Sequence, residues 1–68
     1  MLGTVRFYLE EKGYGFVANE GGDWFFHASA ILGAAPEKGD TVEFWLADDR
    51  KSGNGLIAVD VTVRPAVS

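Results

Sequence analysis

Apolar residues in this chain come in short runs that alternate with other residues at period two. Glycine or a cluster of charged turn residues cuts off each run before a long helix could form. That alternation belongs to strands with one buried face, so an all-β fold of five strands is expected. The first strand runs from Gly3 to Leu9 and the second from Tyr14 to Asn19, with Glu10-Glu11-Lys12-Gly13 turning between them. A Glu20-Gly21-Gly22 turn leads into the third, Asp23 to His27, and these three make a meander. Ser29 to Leu32 suits one helical turn before Gly33 stops it, and Ala34 to Asp40 is a loop containing Pro36. The fourth strand, Thr41 to Ala47, should point Val42, Phe44 and Leu46 inward. A polar hairpin loop, Asp48 to Gly55, separates it from the fifth, Leu56 to Val63, with Ile57, Val59, Val61 and Val63 on one face.

With 68 residues there is room for one domain, spanning 1–68, and no helix to cover an exposed sheet edge. Closure removes the edges, and an antiparallel five-stranded Greek-key barrel of the oligonucleotide-binding type (OB-fold) fits the strand count. No cysteine is present, so neither a disulfide nor a thiolate metal site can form, in keeping with a reducing cytoplasm. The opening Met1-Leu2-Gly3-Thr4-Val5-Arg6 lacks the pattern of a signal peptide. No apolar run has the length of a membrane helix either, and no membrane partner is expected. Ten acidic residues against six basic ones leave a net charge of −4, the wrong sign for holding nucleic acid by bulk electrostatics.

The second and third strands nevertheless carry more rings than a barrel this small can enclose. If Val17 points inward, Tyr14 and Phe16 point to solvent. In the third strand Trp24 and Phe26 alternate with Asp23, Phe25 and His27. Pairing the outward sets brings Tyr14, Phe16, Phe25 and His27 together, with Phe7 of the first strand as a fifth ring. Exposed rings stack on the π-face of any base, so such a face suits single-stranded RNA or DNA despite an acidic surround. Arg6 and Lys12 lie where they can reach flanking phosphates, and glycines 13 and 15 are expected to keep the surface low enough for bases to approach.

Other chemistries fit less well. His27 has no second histidine or cysteine with which to hold a metal, so no metal or cofactor is expected. Asp23, His27 and Ser29 have the residue types of a hydrolytic triad but crowd one strand and its end. With no nucleophile elbow evident, neither catalysis nor a small-molecule substrate is expected. Asp48, Asp49, Arg50 and Lys51 read as a solvated loop, with a minor role in strand contact open to Arg50 or Lys51.

Over nearly its whole length the sequence resembles the bacterial cold-shock domain family. Lys12-Gly13-Tyr14-Gly15-Phe16-Val17 is similar to that family's first ribonucleoprotein motif, and Asp23-Trp24-Phe25-Phe26-His27 followed by Ser29-Ala30-Ile31 to its second. The resemblance implies a five-stranded barrel that binds single-stranded RNA or DNA weakly and melts RNA structure without ATP; a monomer is expected. The resemblance also implies contacts from Arg6, Phe7, Lys12, Tyr14, Phe16, Asp23, Phe25 and His27. Three departures stand out: Phe7-Tyr8-Leu9 where the family carries tryptophan-phenylalanine-asparagine, Ala28 in place of a ring, and a ringless segment from Leu32 to Gly39. Trp24 replaces a smaller aliphatic residue and should enlarge the core. Trp45 falls on the outward side of the fourth strand; with the acidity and the missing rings it motivates a second reading of the chain as a diverged barrel that binds protein, with weak or no nucleic-acid binding.

Overall fold

The computed structural model describes residues 1–49, 53 and 55–64. Its strands are β1 (Leu2–Leu9), β2 (Tyr14–Asn19), β3 (Gly22–His27), β4 (Thr41–Asp49) and β5 (Gly55–Val63), with a 3₁₀ turn at Ala28–Ala30. They close into a barrel in the order β1-β2-β3-β5-β4. The meander β1-β2-β3 forms as expected; β4 returns to lie beside β1, and β5 fills the remaining gap. Every seam is antiparallel except the last, where β3 meets β5 in parallel at Phe25 and Ile57. The expected five-stranded Greek-key barrel is formed, and its one parallel seam follows from closure itself: five strands alternating in direction around a ring must leave one parallel pair.

The core comprises Val5, Val17, Phe26, Val42, Phe44, Ala58 and Val61, with Tyr8, Trp24, Ala30, Ile31, Leu46 and Val63 packed around it. Trp24 sets its ring against Phe44 at 5.7 Å, enlarging the core as expected. The fourth strand runs two residues beyond Ala47, because Asp48 and Asp49 continue the ladder opposite Leu56 and Gly55. Arg50 and Lys51 lie outside the described residues. The helical turn sits one residue earlier than expected: Ile31 is extended, bridging to Val61, and Leu32 donates its N–H to the Val61 carbonyl at 2.8 Å.

Two bulges decide which side chains face outward. Val5 pairs with Val17 but Phe7 with Phe16, so Arg6 is an extra residue in β1. Gly3 and Val5 are buried before it; after it the parity reverses, so that Phe7 turns out and Tyr8 turns in to stack on Phe26 at 5.9 Å. The second bulge lies in β5, where the register shifts between Glu43 and Trp45 of the partner strand and Asp60 takes φ 52°. Its consequence overturns the expected alternation of Ile57, Val59, Val61 and Val63. Ala58 and Val61 are the buried residues, while Ile57 and Val59 lie on the opposite face, before the bulge. Aspartate tolerates the left-handed region better than the valines beside it, which places the bulge at this residue.

Candidate nucleic-acid interface

The outward face of β1-β2-β3 is built from the turn upward. Leu9 accepts hydrogen bonds from the Lys12 and Gly13 N–H groups at 3.0 and 2.8 Å, and Gly13 closes the turn at φ 75°, a conformation that favours glycine. The chain leaves this turn with Lys12 exposed and Tyr14 entering β2 opposite His27. Two residues on, Phe16 pairs with Phe25 on one side and with Phe7 on the other. All five expected rings therefore share one surface.

These rings contact one another in a continuous set. Phe7 lies 5.4 Å from Phe16 and 6.2 Å from Tyr14; Tyr14 stacks on Phe25 at 5.4 Å with planes 21° apart. Phe16 meets Phe25 edge-on at 5.7 Å, and His27 meets it edge-on at 4.7 Å. Offset and edge-to-face packing of this kind stabilises aromatic pairs. It also leaves Tyr14, Phe16 and Phe25 half-buried by their neighbours, with Phe7 and His27 exposed at the margins.

Arg6 and Asp23 border the rings and are joined, Nη1 to Oδ2, at 3.4 Å with both side chains more than half exposed. Such a pair is weak, so a phosphate can compete for Arg6, but Asp23 partly cancels the charge that the sequence offers there. Of the three residues with the types of a hydrolytic triad, Asp23 is directed at Arg6 and His27 packs on Phe25. Among the described residues no group of three or more histidine, aspartate or glutamate side chains could hold a metal ion.

Gly15 does not play the part expected of it. It is buried, and a Cβ there would come within 2.5 Å of the Phe7 carbonyl oxygen and 2.7 Å of Phe26 Cζ. Its bareness makes room for Phe26 inside the barrel, beneath the rings, and does not lower the outer surface. Conversely, Ile57 was expected inward, yet it stands beside Phe25 across the parallel seam and extends the apolar face on to β5. The one signal in the sequence was Asp60, a polar interruption between valines.

A barrel with these rings on β1-β2-β3 is matched along its length by known proteins. The profile described as 'Cold-shock' DNA-binding domain covers residues 1–64. The chain belongs to the cold-shock domain family. It is 44% identical over 66 residues to the major cold shock protein of Micrococcus luteus, covering 90% of this chain and 94% of that protein. Over 53 residues it is 42% identical to cold shock-like protein CspLB of Listeria monocytogenes, covering 72% of this chain and 80% of that protein. The function is accordingly nucleic-acid binding of the cold-shock type, and the protein-binding reading is not favoured. Ala28 is exposed directly after His27, and Leu32 offers an exposed aliphatic side chain where a ring was missing.

Proposed function

We propose that this cold-shock protein binds short single-stranded stretches of RNA or DNA by stacking bases on Phe7, Tyr14, Phe16, Phe25 and His27, with Lys12 and Arg6 meeting flanking phosphates and Asp23 at the border. The reading also makes it a single domain over residues 1–68. It acts as a monomer in the cytoplasm, as an RNA chaperone or a modulator of transcription or translation, with no cofactor, catalytic step, small-molecule substrate or membrane partner. The observation that carries it is the continuous outward ring set spanning three strands, with centroids 4.7–6.2 Å apart. A soluble protein rarely leaves such a patch unused. Stacking tolerates a chain of net charge −4, because it draws on ring and base surfaces and not on a basic groove. Melting of RNA structure follows from the same physics: rings that take up unpaired bases favour the single strand by mass action, with no need of ATP. Titration of a fluorescently labelled heptathymidine and of oligo-uridine at low salt tests the reading. Saturable binding is expected, and none at high micromolar protein would refute it.

A further inference from the structure

Trp45 is the most exposed large apolar side chain among the described residues, at 60% of its surface. It stands outward on β4 directly opposite Val59 of β5. Val59 lies two residues beyond Ile57, and Ile57 pairs in parallel with Phe25. Ile57 and Val59 share the outer face of β5 before its bulge. Outward side chains therefore run from Phe25 across the seam to Ile57, along β5 to Val59 and across to Trp45. Strands are about 4.8 Å apart and rise about 3.3 Å per residue, so the Trp45 backbone lies about 12 Å from that of Phe25. Because β5 runs parallel to β3, the step from Ile57 to Val59 leads toward the end of β3, where Ala28 follows His27.

We infer that Trp45 is an additional base-stacking site, reached across Val59 by an oligonucleotide already seated on the rings of β2 and β3, and that it lengthens the footprint where Ala28 shortens it. The inference rests on the stacking reading above. Indole has the largest π-surface of any side chain and needs no basic neighbour to hold a base. That matters here: Glu43 beside Trp45 already engages Arg64 at 3.5 Å, and Asp48 and Asp49 follow along β4. A second copy of the chain fits this face less well. It would bring two acidic strands together and draw its whole association energy from one exposed ring with Leu2 nearby, whereas a tethered base meets Trp45 intramolecularly.

Oligothymidines of four and nine nucleotides, titrated against wild type, Trp45→Ala, Trp45→Phe and Phe25→Ala, test the inference. Trp45→Ala should weaken the nonamer by about 5- to 150-fold and leave the tetramer unchanged, while Trp45→Phe retains most of the nonamer affinity. Nonamer binding should also quench wild-type tryptophan emission more than that of Trp45→Phe, whose remaining indole, Trp24, is packed on the core. Equal nonamer affinity for Trp45→Ala and wild type, with Phe25→Ala weakened, would overturn the role of Trp45 and leave the ring set standing. So would equal losses on both lengths, or a wild-type dimer in sedimentation that Trp45→Ala dissolves. If wild type binds neither oligonucleotide, the ring reading fails as well.

Discussion

Gly15→Ala separates the inner role of this glycine from the outer one that its place in a binding motif suggests. A methyl group at this position would meet the Phe7 carbonyl oxygen at 2.5 Å and the Phe26 ring at 2.7 Å, both inside the 3.0 Å that real Cβ atoms respect. Neither obstacle yields easily. The carbonyl belongs to the paired strand β1, and Phe26 is fully buried with Tyr8 stacked on it. Overpacking of a core costs about 1–3 kcal/mol and occasionally more, and a backbone obstacle argues for the upper end, about 3 kcal/mol. At about 0.05–0.15 kcal/mol per residue the whole chain has roughly 3–10 kcal/mol of stability, so the loss is a large share of it. In a domain of this size each kcal/mol moves Tm by about 4–8 °C, and a fall of about 12–24 °C is expected. Thermal unfolding followed by circular dichroism measures it. Gly21→Ala is the milder comparison, since the atoms nearest its methyl group are Asn19 Oδ1 and the Trp24 ring edge at 3.2 and 3.3 Å, looser contacts with side chains and not with backbone. If Gly15→Ala kept the wild-type Tm and lost only oligonucleotide affinity, the inward assignment of this residue would be wrong.

Phe16→Ala and Phe25→Ala should each weaken heptathymidine binding by about 5- to 150-fold while the barrel stays folded, read by titration beside circular dichroism. Phe26→Ala, on the other face of the same strand, should instead cost about 3–5 kcal/mol and leave little folded protein in a urea titration. Affinity should depend only shallowly on salt: with two phosphate contacts, from Lys12 and Arg6, the slope of log K against log salt should be about −1.4, and a steep slope would reveal a basic surface missing from this account. Asp60→Val should destabilise the barrel by about 1–2 kcal/mol, because a β-branched residue resists the left-handed backbone at φ 52°, whereas Asp60→Gly should leave stability equal or higher; urea midpoints decide between these outcomes.

Local pattern alone set the strand count, the turns at Glu10 to Gly13 and Glu20 to Gly22, and the two faces of β2 and β3. With Val17 taken as inward, alternation put Tyr14 and Phe16 outside and cross-strand pairing put Phe25 and His27 with them, and Val17 and Phe26 are indeed buried. The ring set was legible for that reason. The sequence marked a break in alternation only at Asp60, as a polar residue between valines. Arg6 looks like any strand residue, and only the register of β1 against β2 makes it the extra one that turns Phe7 outward and Tyr8 inward. At Asp60 the shape of the closing barrel decides: β5 must serve β4 and the parallel β3 edge at once, and the bulge that allows this sends Ile57 and Val59 to the outer face beside Phe25. Gly15 follows the same division, since its side of the strand is readable from Val17, but the ring that fills the space above it is known only once Phe26 is packed. Period-two alternation is a property of one strand. A bulge, a seam direction and a filled cavity are properties of pairs of strands, and those exist only in the folded barrel.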